Sequence, residues 1–264
     1  MDSMREKVIW ITGASSGIGE ALAYELSKTG AKLVLSARRE DELQRVKANC
    51  QFPEQVAVLP LDLSQFDSLP SKTETAIGKH GRIDVLINNG GISQRSLILE
   101  TDFEVFKKMM DVNYLGTIQL SKSILPHFVK NQQGHFVTIT SLMGKFGSPY
   151  RSGYCGAKHA LHGFFDVLRM EHEKDRINVT LVCPGFIQTD VAKNALTGDG
   201  STQKKQDEAT ANGMPVATCA KQIISAMEKK KFETYIGGKE TFAIYLKRFF
   251  PKLLHKVVLK SSVR

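Results

Sequence analysis

A chain of 264 residues, 42% hydrophobic and 24% charged, has enough apolar material for one full α/β core and is neither disordered nor collagen-like in composition. Its four cysteines, Cys50, Cys155, Cys183 and Cys219, are scattered with no Cys-x-x-Cys spacing, which excludes a disulfide framework and suggests reduced thiols in a cytoplasmic setting. The formal charge of +9 is concentrated in residues 239–264, where seven Lys or Arg stand against Glu240 alone; with no nucleic-acid motif beside it, this excess does not make a nucleic-acid binder.

Residues 7–12, KVIWIT, form an apolar run that predicts a first strand. It leads into Gly13-Ala14-Ser15-Ser16-Gly17-Ile18-Gly19, after which Leu22, Ala23 and Leu26 give residues 20–29 a helical period. Gly30 closes that helix, and residues 32–37 read as a second strand. The alternation continues with a polar helix to Cys50, a strand at 56–59, a helix through 67–79 and a strand at 83–87. Two helical stretches fill 102–130, β-branched residues mark a strand at 135–140, a helix carrying Tyr154 follows, and the strand at 178–182 stops at Pro184-Gly185. Residues 193–213 are polar and interrupted by glycines, so a mobile segment is expected there. A helix at 216–229 and a short strand at 234–236 complete the pattern. Alternating strands and helices predict an α/β fold, a doubly wound parallel sheet with helices on both faces, in a single domain over residues 1–238. The N-terminus shows no signal-peptide pattern, and no run approaches the ~18–20 apolar residues that span a bilayer. A cytoplasmic protein is expected.

The glycine turn joins the first strand to the first helix. A helix N-terminus presents unpaired amides and partial positive charge, a natural seat for pyrophosphate, and glycines let the backbone approach it. Gly13, Ser15, Ser16, Gly17, Ile18 and Gly19 are therefore candidate cofactor residues, although the spacing Gly-x-x-x-Gly-x-Gly differs from the common dinucleotide fingerprint. Arg38 and Arg39 follow the second strand, where a fold preferring NAD places an acidic residue. A guanidinium there favours the 2′-phosphate of NADP(H); the alternative is a solvated charge pair opening a helix. Tyr154 and Lys158, four apart, share one helix face. A cation beside a phenol favours the phenolate and fits the tyrosine for proton transfer to or from an alcohol oxygen.

Taken in order, residues 12–19, Asn88-Asn89-Gly90-Gly91, Asn113, Ser141, Tyr154-Cys155-Gly156-Ala157-Lys158 and Pro184-Gly185 resemble the successive motifs of the short-chain dehydrogenase/reductase family, over roughly residues 5–240. The resemblance implies a Rossmann fold and an NADP(H)-dependent oxidoreductase that interconverts a carbonyl and a hydroxyl. It implies that Tyr154 is the acid/base, that Lys158 binds the nicotinamide ribose and lowers the tyrosine pKa, that Ser141 steadies the substrate oxygen and that Asn113 supports a water-linked proton path. It places Asp62 and Leu63 near the adenine, Asn89 and Gly90 along the cofactor, and Pro184, Gly185, Ile187 and Thr189 beside the nicotinamide. Gly90 stands where the family usually has alanine, a departure that loosens the turn without removing a side chain of function. A cofactor-binding regulator is the competing reading, but a sensor has no need of all four catalytic residues. The resemblance also implies a homodimer or homotetramer, since in the family the long helices corresponding to 102–130 and 153–174 commonly form a dimer contact. Trp10 is expected close to the cofactor.

His159 and His162 lie three apart with no evident acidic or cysteine partner, so no metal site is expected. In the tail, Phe242, Tyr245, Leu246, Phe249, Phe250 and Leu253 recur at helical spacing, with Lys247, Arg248 and Lys252 on other faces and Pro251 breaking the pattern into two short helices. Such a basic amphipathic tail could lie on a membrane, cover the substrate entrance, pack on a partner subunit or fold onto its own domain. The substrate is expected to be apolar.

Overall fold

Side chains alternate along a strand, and β1 (Val8–Thr12) uses that alternation to divide the interior in two. Ile9 and Ile11 enter one core with Leu22 and Leu26 of α1 (Gly17–Ser27), Leu43 of α2 (Glu40–Ala48) and Ile223 of α8 (Val216–Glu228). Val8 and Trp10 enter the other with Leu69 of α3 (Leu69–His80), Phe128 of α5 (Gly116–Lys130) and Phe165 of α6 (Ser152–Glu171). Each of these large side chains, once fully buried, contributes roughly 1.5–3 kcal/mol relative to exposure. Two apolar faces require two helical layers, which is the doubly wound arrangement expected from the sequence.

The computed structural model describes residues 4–261, so Arg264, counted in the charge of the tail, lies outside the described residues, as does the start of the chain at 1–3. The remaining elements are β2 (Lys32–Ser36), β3 (Val56–Val58), β4 (Val85–Asn88), α4 (Phe103–Met110), β5 (Gly134–Ile139), β6 (Ile177–Pro184), α7 (Glu208–Ala211), β7 (Glu233–Ile236), α9 (Ala243–Phe249) and α10 (Pro251–Lys260). All seven strands pair in parallel in the order β3-β2-β1-β4-β5-β6-β7. The order reverses between β1 and β4, and a ligand crevice forms outside the carboxyl ends of strands at such a switch point.

The first helix begins earlier than its apolar period suggested. Gly17 and Gly19 already belong to α1, so the end of the glycine turn is the first helical turn. Between α4 and α5 the chain widens into a π-helical turn over Asp111–Leu115, which carries Asn113. The tail divides at Phe250, with Pro251 at the first turn of α10, where its missing N–H leaves no bond unmade. Among the described residues no helix is long and apolar enough to cross a membrane.

Candidate active site

A cleft of about 950 Å³ runs along the carboxyl ends of the strands. At its outer end, Gly13 and Gly17 take φ of +64° and +58°, which L side chains rarely adopt. A Cβ on Gly13 would stand 2.8 Å from the Gly90 Cα. Gly19 does not line the cleft: it is a packing glycine, where a Cβ would meet the Gly13 carbonyl oxygen. Ser15, Ser16, Gly17 and Ile18 bring the N-terminus of α1 to the cleft wall. Bare backbone, free helix-end amides and the adjoining cleft fit a pyrophosphate. Thr189 faces this helix end, its Cγ2 lying 3.3 Å from where a Gly17 Cβ would be.

Arg38 and Arg39 stand exposed at the rim beyond β2, neither with an ion-pair partner among the described residues. Asp62 and Leu63 line the same end, and Asp62 Oδ1 accepts hydrogen bonds from the Ser64 N–H at 2.9 Å and hydroxyl at 2.8 Å. Asn89 ties two strand ends together: its Nδ2 donates to the carbonyls of Thr12 and Gly13 at 3.0 and 3.1 Å, while its N–H donates to Thr12 Oγ1 at 3.0 Å. Asn89, Gly90, Pro184, Gly185, Ile187 and Thr189 all line the cleft. Trp10 does not: it is fully buried and its indole N–H donates to Ser36 Oγ at 2.9 Å, so one serine separates it from the cleft.

At the inner end, Ser141, Tyr154 and Lys158 converge. Ser141 lies two residues past the end of β5 and caps the turn Leu142–Gly144, its hydroxyl accepting from the Met143 N–H at 3.1 Å and donating to the Pro184 carbonyl at 3.4 Å. Tyr154 and Lys158 share a face of α6, with the ammonium 5.7 Å from the centre of the phenol ring. That ammonium donates to the Ile139 carbonyl at 2.8 Å rather than to the phenol. Burial lowers Lys158 to about 8. Tyr154 is pushed above the ordinary phenol range, first by burial, with the Ser141 hydroxyl and the charges of Arg95 and Arg151 partly offsetting it. The expectation that lysine depresses the tyrosine is thus not met: burial dominates, and the offsetting charges are those of Arg95 and Arg151 rather than Lys158. A protonated phenol at neutral pH is poised to donate.

Asn113 lies behind the wall, fully buried. Its Oδ1 accepts from the Ile92 N–H at 2.8 Å and its Nδ2 donates to the Ile92 carbonyl at 3.0 Å, which braces the loop after β4 beside Gly91. A Cβ on Gly91 would approach both Asn113 Oδ1, at 2.6 Å, and Lys158 Nζ, at 3.8 Å.

Two groups that sequence reasoning missed also shape the cleft. Buried Asp207 holds Arg95 at 2.6 Å and Arg151 at 3.2 Å, tying the polar segment 193–213 to the start of α6. Glu240 Oε1 accepts from the Phe186 and Gly238 N–H groups at 3.2 and 3.0 Å, and it fills the space a Gly185 Cβ would need. No spacing signals the Asp207 pairs or the Glu240–Phe186 link, because those partners are 54 to 112 residues apart in sequence.

The reading that His162 has no cysteine or acidic partner is corrected. Cys183 Sγ lies 3.8 Å from His162 Nε2, and Glu233 completes a group whose donor atoms fall within 4.8 Å of one another. The sheet brings them together from β6 and β7, which neighbour each other although 50 residues separate Cys183 from Glu233. Lys145 already pairs with Glu233 at 2.8 Å and Thr140 donates to Cys183 at 3.2 Å, so the cluster is internally hydrogen-bonded.

Comparison with known proteins gives a consistent picture. A family model described as short chain dehydrogenase matches residues 7–200. The chain is 40% identical over 255 residues to dehydrogenase/reductase SDR family member 7 of Homo sapiens, covering 94% of this chain and 75% of that protein. It is 40% identical over 266 residues to a dehydrogenase/reductase SDR family protein 7-like of Drosophila melanogaster, covering 98% and 81%. A solved short-chain dehydrogenase from Streptomyces avermitilis shares the fold at a TM-score of 0.82 and 24% identity, over 96% of this chain and 97% of that one. Another, from Burkholderia phymatum and in complex with NAD, has a TM-score of 0.85 at 20% identity over 100% and 99% of the two chains.

Proposed function

The chain belongs to the short-chain dehydrogenase family of oxidoreductases, which use nicotinamide cofactors, and from that premise we propose that it is an NADP(H)-dependent enzyme interconverting a carbonyl and a hydroxyl on a small apolar molecule. The observation that carries this reading is the meeting of Ser141, Tyr154 and Lys158 at one end of a cleft whose other end is a glycine-lined helix N-terminus beside Arg38. Bound there, the nicotinamide supplies or accepts the hydride. The residues do the rest. The α1 amides hold pyrophosphate, Arg38 and Arg39 take the 2′-phosphate, and Ile187 and Thr189 position the carboxamide side. In the reductive direction the Ser141 hydroxyl donates to the substrate oxygen as it gains charge, and the Tyr154 phenol gives it a proton. Lys158 steadies the ribose and keeps positive charge beside the resulting phenolate, while Asn113 holds the backbone that supports the proton path. Leu142, Phe146, Ala243 and Leu254 provide apolar cleft walls, which suit a substrate with little polar surface.

The test is calorimetric titration with NADPH and NADH, on the wild type and on Arg38→Asp. NADPH should bind roughly 10–100-fold more tightly to the wild type, the worth of a charge-assisted phosphate contact, and the substitution should abolish the preference. Equal binding of both by the wild type removes the NADP assignment and leaves the family untouched. Self-assembly into a homodimer or homotetramer is part of the same proposal. Exposed Phe103 on α4 and exposed Val167 and Met170 on α6 are the apolar surface that supports it.

A further inference from the structure

The last two helices have two different faces. Leu254 and Val258 of α10, with Ala243, Ile244 and Leu246 of α9, pack inward against Leu142, Phe146 and Cys183. Ala243, Leu254, Val257 and Val258 are also cleft wall. Outward, Phe242 is 67% exposed, Tyr245 56%, Phe249 68%, Phe250 62% and Leu253 50%, figures that no isolated surface hydrophobe accounts for. Tyr245 and Phe249, four apart, share one side of α9, and Phe242, which caps that helix, extends the row, its ring 6.4 Å from that of Tyr245. Phe249 and Phe250 stand where α9 breaks into α10, at the apex of the helical pair.

The charge around this apolar ridge has one sign. Lys239, Lys247, Arg248, Lys252, Lys256 and Lys260 are exposed, and none has an ion-pair partner among the described residues. The single acid of the segment, Glu240, is turned inward onto the Phe186 and Gly238 amides. An apolar ridge flanked only by cations complements a surface that is apolar inside and anionic at its face, as an acidic lipid bilayer is.

We propose that the α9–α10 pair is a docking element for anionic membranes, its aromatic apex inserted at the interface and its cations against lipid headgroups. The same helices wall the cleft, so docking sets the substrate end of the cleft against the bilayer with one helix layer between them. The proposal rests on exposure and charge alone and stands whether or not the carbonyl chemistry is correct.

Flotation of the full chain with phosphatidylcholine vesicles, with and without phosphatidylserine, tests it. Binding is expected only to the phosphatidylserine vesicles and should weaken steeply as salt is raised. Arg248→Glu combined with Lys252→Glu, both at exposed positions outside the cleft wall, should reduce the partition coefficient by about fivefold or more per charge changed. Phe249→Ser with Phe250→Ser should abolish it while NADPH affinity stays unchanged. Absence of flotation with either vesicle overturns the proposal, as does equal, salt-independent flotation with both. If the phenylalanine variant instead changes the size of the protein by light scattering and leaves flotation intact, the ridge is covered by a second copy and the proposal fails.

Discussion

At the scale of single residues, Lys158 is held where its charge is least welcome. With the side chain enclosed and its pKa lowered from 10.5 to about 8, native and unfolded chains are both protonated below pH 8 and the burial cost is fully present. Between pH 8 and 10.5 the unfolded chain binds the extra proton, so this residue makes stability rise with pH. Lys158→Met should therefore be more stable than the wild type at pH 7, by up to ~3 kcal/mol, with the gap closing toward pH 10.5 in urea unfolding curves. If Lys158 acts as proposed, the same variant should lose turnover, stability being given up for chemistry; full turnover removes Lys158 from that role. Tyr154→Phe separates proton transfer from binding. Turnover should fall by about 10²–10⁴-fold with NADPH affinity retained, and a variant at full speed removes Tyr154 from the catalytic role.

Among elements, the strands were the most legible, because β1, β2, β5 and β6 are apolar runs bounded by glycine, proline or polar turns. The glycine turn and the Tyr154–Lys158 pair were legible too, since their spacing maps directly onto a strand-helix junction and a helix face. The π-helical turn at Asp111–Leu115 was not, since one extra residue in a turn leaves the apolar period around it almost intact. The anchoring of segment 193–213 was hidden for a different reason. Its hold is a buried carboxylate pairing with arginines 112 and 56 residues away, and periodicity carries no information about such partners. Asp207→Ala removes the carboxylate that two buried guanidinium groups share and should cost about 3–5 kcal/mol, read as a lowered urea midpoint; faster proteolytic cleavage within 193–213 should accompany it. An unchanged midpoint shows that water reaches both arginines as readily as Asp207 does.

For the whole molecule, the apolar positions left open on α4 and α6 predict self-association. Light scattering across a concentration series should give a dimer or tetramer mass, and Met170→Glu should shift it toward the monomer. A monomer at every concentration discards the assembly.

The strand order also dictates a schedule. The cleft takes residues from Thr12 at one end of the chain to Ser261 near the other, and β7, the edge strand opposite β3, is added to β6 only after the 48-residue span between Pro184 and Glu233. A growing chain that has left the ribosome only as far as β6 has an unpaired sheet edge and no tail helices over Leu142 and Phe146. Parallel pairing of this kind has no local hairpin to nucleate it, so the last strand is recruited slowly and across a distance. Until then β6 is an open template for another chain. Synthesis rather than catalysis is therefore the stage at which this protein is most exposed to aggregation, and chaperone demand should peak while the final quarter of the chain is being made.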